Sequence, residues 1–218
     1  MKTRHLFLLI VLTILLAACN TDSLPTRVPE PTALAAAVDD SRTLFNITPV
    51  ESSVAFAVEE TLKGNRITAT GSNSNLAGSL LLDMDDLAAT VIGPINIDAT
   101  AFRTNDPNRD RAINKWLLVS RAYPLIQFTP TAVSNLPATA AIGDALTFTI
   151  EGDLLITTYT QPVTFEMTVT AVSADRIEGT AVSTIQREDF KLRIPSAPGV
   201  ADVAETIALT FDFVALSN

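Results

Sequence analysis

The chain has 218 residues, with 24 acidic and 15 basic side chains and a formal net charge of −9 at pH 7. This negative charge argues against binding to the phosphate backbone of nucleic acids. The single histidine, His5, and the single cysteine, Cys19, both lie near the amino terminus. The rest of the chain therefore has no His-based catalytic or metal site and no disulfide, and we expect no metal and no cofactor.

The first eighteen residues are predicted to be an export signal. Two basic residues precede a run, 6–18, in which every residue except Thr13 is apolar. A bilayer span needs about 20 apolar residues, so this run has the length of a signal-peptide core. Its end at 16–19, L-A-A-C, resembles the lipobox of bacterial lipoproteins, which implies cleavage before Cys19 and lipidation of that cysteine.

Residues 19–41 are predicted to be the lipidated cysteine and a flexible, proline- and alanine-rich tether. The segment contains Pro25, Pro29 and Pro31 and shows no apolar periodicity. We therefore expect one folded domain in 42–218. The protein is expected to be exported and held by its lipid on the cell membrane or the outer membrane, facing the periplasm or the exterior.

The folded part is predicted to be all-β, because apolar and polar residues alternate along most of it. The longest alternating run covers 145–157. Other alternating or strand-like runs cover 54–58, 66–71, 76–83, 95–97, 163–169, 177–185 and 207–213. Antiparallel strands with one apolar face must close over a core, and long strands favour a barrel over a sandwich. We predict an antiparallel, up-and-down, lipocalin-like barrel of about eight strands.

One segment, about 107–119, is predicted to be a short helix. Asp106 can cap it, and Pro107 suits its first position. Apolar residues recur near helical spacing at Ala112, Ile113, Trp116 and Leu117, and the stripe can extend to Val119. Such a stripe would pack across the mouth of a barrel.

The role of this helix is left open between two interpretations. It is either a plug that completes the core or a lid whose Trp116 and Leu117 contact a bound chain. Arg109 and Asp110 are interpreted as an ion pair that holds the loop, not as catalytic residues.

Six groups of short motifs occur in an order that is typical of one family. They are F-N-I-T-P and S-S-V-A-F-A-V within 45–58, I-D-A-T at 97–100, R-D-R at 109–111, Y-P-L-I-Q-F at 123–128, G-D-L-L-I and T-Q-P-V within 152–163, and I-Q-R-E-D-F at 185–190. Residues 43–216 thereby resemble the YceI-like family of polyisoprenoid-binding, lipocalin-like barrels. The resemblance implies an isoprenoid or a similar lipid inside the barrel. Many members carry a histidine after R-D, which is absent here, so no role of that histidine is carried over.

The candidate ligand-binding residues are apolar side chains expected to face inward, one helix residue and one arginine for a polar head group. They are Phe56, Ile97, Phe128, Phe148, Phe165, Met167, Phe211, Trp116 and Arg187. We expect a non-catalytic protein that binds, transports or sequesters a long-chain hydrophobic ligand at the cell envelope.

Two other functions are considered. A filled barrel would instead be a protein–protein interaction module of the envelope, and the sequence leaves a homodimer open. A hydrolase that uses carboxylates alone would rely on Asp98, Asp110 and Asp189, but the sequence shows no nucleophile–base pair for it.

Overall fold

The computed structural model describes residues 41–217. The predicted export signal, the predicted lipidation at Cys19 and the tether up to residue 40 lie outside the described residues. In the described part of the chain, no helix is both long enough and apolar enough to cross a bilayer.

The described residues form fourteen strands, and all of their pairings are antiparallel. The strands are β1 (Thr43–Ile47), β2 (Ser53–Leu62), β3 (Asn65–Asn73), β4 (Leu76–Ala77), β5 (Ser79–Leu82), β6 (Val91–Ile92), β7 (Ile95–Asp98), β8 (Arg103–Thr104), β9 (Leu125–Ser134), β10 (Ala145–Ile156), β11 (Tyr159–Ser173), β12 (Arg176–Gln186), β13 (Val200–Ala201) and β14 (Thr206–Ser217). Each predicted strand is present, except that the run predicted at 76–83 forms two short strands, β4 and β5, which pair with β7 and β1 respectively.

The long strands follow one another around a barrel. β9, β10, β11, β12, β14, β2 and β3 are neighbours in that order. β4 follows β3 after two residues and pairs with β7, which lies beside β9. When β3 and β4 are taken as one bent strand, this path returns to its start. The number of strands exceeds the predicted number of about eight because several short strands extend the sheet. Among them, β1 pairs with one half of β14, β5 pairs with β1, and β6 pairs with β5.

The alternation along β10 shows how the sequence builds the core. Phe148, Ile150 and Leu154 are buried, whereas Glu151 and Asp153 between them are exposed. Every second side chain of a strand points to the same face, so the apolar set lies inside the barrel and the charged set faces water. The predicted all-β, lipocalin-like fold is confirmed.

Gly152 lets an aromatic ring cross the inner face of this sheet. A Cβ atom built on Gly152 would lie 2.5 Å from the Phe128 ring. Phe128 in turn meets Phe165 edge to face, with 5.0 Å between ring centroids. The glycine therefore makes room for an aromatic pair that spans the β9–β10–β11 region.

The predicted helix is present, but its second half has unusual geometry. The α-helix α1 (Pro107–Ala112) continues as a π-helical turn (Ile113–Leu117). Asp106 caps α1 by accepting a 2.7 Å hydrogen bond from the Asn108 amide. Two 3₁₀ turns, Leu87–Ala89 and Ala99–Ala101, complete the helical segments.

Candidate ligand cavity

The interior of the barrel contains an apolar cavity of about 730 Å³. Small-molecule sites span about 300–1,000 Å³ and are mostly apolar with a few polar groups, and this cavity has that character. Side chains from most strands of the barrel and from the α1 segment form its wall. The polar and charged side chains on the wall are Glu60, Lys63, Ser79, Thr90, Asp106, Asn108, Arg109, Arg187 and Thr210.

Eight of the nine predicted ligand residues lie on the cavity wall. They are Phe56, Ile97, Phe128, Phe148, Phe165, Met167, Phe211 and Arg187. The structure thus brings together side chains that are far apart in the sequence, because seven of them sit at inward positions of their strands, while Arg187 directly follows β12. Their contact with a ligand stays a prediction.

Trp116, the ninth, lies outside the cavity. Its side chain is 59% exposed, and the Lys115 ammonium lies 4.6 Å from its ring centroid. Ile113, Leu117 and Leu118 line the cavity from this segment instead. The geometry therefore supports a role for Leu117 at the cavity, as the lid interpretation requires, but gives no such support for Trp116.

A buried ion pair joins α1 to the barrel. The Arg109 guanidinium lies 2.7 Å from the Glu60 carboxylate, and these side chains are 18% and 8% exposed. Glu60 follows the inward positions Val54, Phe56 and Val58 of β2, so alternation turns its carboxylate toward the cavity. Arg109 of α1 therefore pairs with Glu60 of β2 and not, as expected from the sequence, with Asp110.

Asp110 holds the loop before α1 in a different way. One carboxylate oxygen accepts hydrogen bonds of 2.7 Å from both the amide and the hydroxyl of Thr104. These bonds, the hydroxyl bond most of all, stabilise the carboxylate and hold the pKa of Asp110 below its ordinary value. The R-D pair of the motif is therefore structural in both members.

Acid should remove the contribution of this contact to stability. The folded pKa of Asp110 is depressed, so its stabilisation is present above the unfolded pKa of about 3.9 and is lost as the pH falls through the folded value. Thr104→Val, which lacks the hydroxyl donor, should lower the free energy of unfolding by about 1 kcal/mol at pH 7 and by less below pH 3.

Urea unfolding of both proteins at the two pH values measures this difference. Thr104→Ser, which keeps a hydroxyl, is the control and should retain most of the pH-dependent part. A loss in Thr104→Val that is equal at both pH values would contradict the assignment.

Arg187 combines a place on the cavity wall with strong local contacts. Its guanidinium donates to the Leu192 carbonyl at 3.0 Å and forms an ion pair with Glu205. Phe190, in the same I-Q-R-E-D-F motif, is 1% exposed. The motif thus anchors the segment 191–205 against the end of β12.

The three carboxylates considered for hydrolysis do not meet at the cavity, because Asp98, Asp110 and Asp189 are all absent from its wall. Asp98 instead accepts hydrogen bonds from Thr100 and Asn75. Across residues 41–217, no group of three or more His, Cys, Asp or Glu side chains is placed to hold a metal ion.

Sequence reasoning missed two parts of the wall. One part comes from β5 and β6, and the other from the segment after β12. Their apolar members include Leu80, Leu82, Ile92, Leu192, Ile194, Pro195 and Val203. Leu80 and Leu82 flank Leu81 in an unbroken apolar run, so no alternation identifies their face, and 192–203 likewise has no apolar period from which its inward side chains could be identified.

A curled antiparallel sheet around an apolar cavity, with one short helix beside it, defines the class of lipocalin-like barrels. The model of the YceI-like domain matches residues 45–215, and the chain belongs to the YceI-like family. None of the curated proteins compared with the chain matches it.

Solved structures share this fold at low sequence identity. A polyisoprenoid binding domain from Saccharophagus degradans, implicated in plant cell wall breakdown, has a TM-score of 0.62 and 15% identity, with 80% of this chain and 98% of that chain covered. BcnA of Burkholderia cenocepacia has a TM-score of 0.61 and 19% identity, with 77% and 98% covered. The YCEI protein of Campylobacter jejuni has a TM-score of 0.54 and 16% identity, with 68% and 84% covered.

Proposed function

We propose that the protein binds a long hydrophobic molecule, an isoprenoid or a similar lipid, inside the barrel and carries or sequesters it at the cell envelope. The observation that carries this proposal is the apolar cavity of about 730 Å³ in the barrel interior. The similarity to a polyisoprenoid binding domain supports the choice of ligand class. The export signal and lipobox expected in 1–19 support the envelope location.

Binding would be a partition of the ligand chain from water into the cavity. Each Å² of apolar surface removed from water contributes about 25 cal/mol, and each buried CH₂ group about 0.8 kcal/mol. Aromatic and aliphatic side chains on the wall offer matching apolar surface. No chemical step is needed, so the proposed function is non-catalytic.

A polar head group is proposed to lie at the end of the cavity where charged side chains collect. Glu60 and Arg109 meet there, at the end of β2. The Ala204 amide donates to the Glu59 carbonyl at 2.8 Å, and the Arg187 guanidinium lies 3.5 Å from the Ala204 carbonyl. Arg187 therefore belongs to the same end of the barrel as Arg109.

The domain without its first 40 residues is a suitable sample for a binding test. Every strand that the structure describes starts at Thr43 or later. The match to the Saccharophagus degradans domain covers 98% of that domain but 80% of this chain. That domain is thus limited almost entirely to the barrel and still adopts this fold.

Native mass spectrometry of residues 41–218, purified without detergent, tests the proposal. We expect a discrete added mass that solvent extracts as a lipid, or uptake of polyprenol or fatty-acid probes. Phe148→Trp with Phe165→Trp should reduce the added mass or the probe uptake, because the two larger rings narrow the cavity. Thr168→Trp, on the exposed face of β11, is the control and should retain it. A bare mass with no probe uptake would overturn the proposal and favour the interaction module.

A further inference from the structure

The helical segment and the turn that follows it carry exposed apolar and basic side chains that do not line the cavity. Trp116 is 59% exposed, Val119 40% and Tyr123 39%. The Tyr123 amide donates to the Val119 carbonyl at 3.1 Å, so the two residues share one turn. The rim patch is defined as these three residues with the exposed basic residues Arg111, Lys115 and Arg121.

The charge of this segment is opposite to that of the whole protein. Residues 108–123 contain four basic side chains and one acidic side chain, while the chain carries a net charge of −9. Arg109 is used by the buried pair with Glu60. The other three basic side chains belong to the rim patch and surround Trp116 in the sequence, so the patch complements an anionic surface.

Val119 has a backbone conformation that is unfavourable for a valine. Its φ is +46°, in the left-handed region where a β-branched residue is rare. Glycine or asparagine would relieve the strain, and an exposed valine adds little to the core. Strain and exposed apolar area thus coincide in the rim patch, a combination found at functional surfaces.

We propose that the rim patch docks the barrel onto a membrane surface that contains anionic lipids. Tryptophan and tyrosine have an apolar body and a polar tip that suit the lipid headgroup region, and lysine and arginine beside them pair with anionic headgroups. The same segment lines the cavity with Ile113, Leu117 and Leu118. Docking would therefore place the cavity next to the bilayer.

The length of the predicted tether allows this orientation. The 23 residues between Cys19 and β1 would span up to about 80 Å if fully extended. A domain of this size is about 40 Å across, so a lipid anchor at Cys19 leaves either end of the barrel free to meet the membrane. The docking needs no bound ligand, so it goes beyond the proposed function, and its failure would leave the cavity proposal intact.

The test uses the fluorescence of Trp116, because it is the only tryptophan of the chain. Residues 41–218 are mixed with phosphatidylcholine vesicles, with or without phosphatidylglycerol. With phosphatidylglycerol we expect a blue shift of the emission, quenching by brominated acyl chains and co-flotation of the protein. All three should weaken at 1 M salt, where the screening length falls to about 3 Å.

Two variants with the same change in net charge separate the rim patch from overall charge. Lys115→Gln with Arg121→Gln should reduce vesicle binding at least tenfold. Thr147→Glu with Ala174→Glu, at exposed positions outside the patch, should bind like the unchanged protein. Equal losses in both variants would overturn the proposal, as would the absence of any lipid-dependent shift. A shift of the Trp116 emission that depends on protein concentration in the absence of lipid, together with dimers in sedimentation, would assign the rim patch to a second copy of the chain. That result would also overturn the membrane proposal.

Discussion

Replacing Glu60 with alanine is expected to lower the free energy of unfolding by about 3 kcal/mol, because it leaves the Arg109 charge without its partner in a mostly buried place. The two side chains are 2.7 Å apart and 8% and 18% exposed. The pair also holds α1 on β2, so hydrogen exchange of the amides in 107–118 should accelerate. Urea unfolding at pH 7 and hydrogen-exchange mass spectrometry measure the two effects.

Glu59 provides a matched control on the same strand. Its carboxylate pairs with Arg66 at 2.6 Å, but these side chains are 62% and 72% exposed. Water screens such a pair, so Glu59→Ala should cost at most about 1 kcal/mol. Glu60→Met with Arg109→Met, which removes both charges, should fold with near-normal stability. Similar losses for Glu59→Ala and Glu60→Ala would show that the buried pair has no special role.

Replacing Asp98 with alanine is expected to cost about 3 kcal/mol of folding stability, because three hydrogen-bond donors lose their acceptor. The carboxylate, 5% exposed, accepts from the amide and hydroxyl of Thr100 and from the side chain of Asn75. In addition, the Asn73 side chain donates to the Asp98 carbonyl at 2.7 Å. Asp98 thus joins the bend between β3 and β4 to the end of β7, where the barrel closes.

A side-chain exchange tests this structural role directly. Asp98→Asn alone should destabilise the fold, because its amide nitrogen would face the amide nitrogen of Asn75. Combining it with Asn75→Asp restores a donor opposite an acceptor and should recover much of the loss in thermal or urea unfolding. If Asp98→Ala unfolds like the unchanged protein, the hydrogen bonds of the Asp98 carboxylate do not stabilise the fold.

The barrel could be predicted because its signal is local. Alternation along β10 and β11 places Phe148 and Met167 inside without any knowledge of their partners, and both lie on the cavity wall. The same pattern places Glu60 inward after Val58. Its partner Arg109 is 49 residues away, and local periodicity carries no information about a contact between two separate elements.

The helix shows where a periodic argument fails. The stripe that includes Trp116 assumes the α-helical period of 3.6 residues, but the Leu118 amide bonds to the Ile113 carbonyl five residues earlier. A π-helical turn contains an additional residue and shifts the phase of the side chains after it. Trp116 therefore faces outward while Leu117 and Leu118 line the cavity.

The sequence by itself determined which side chains of the long strands face inward, since that choice depends only on the two-residue period of a strand and the cost of exposing apolar surface. Only the tertiary structure decided that the interior is a cavity of about 730 Å³. A packed barrel and a hollow barrel require the same inward residues. Whether these side chains meet in the middle depends on the curvature of the whole sheet and on the elements at its ends, such as the helical segment with Leu117 and the segment 191–205 with Leu192.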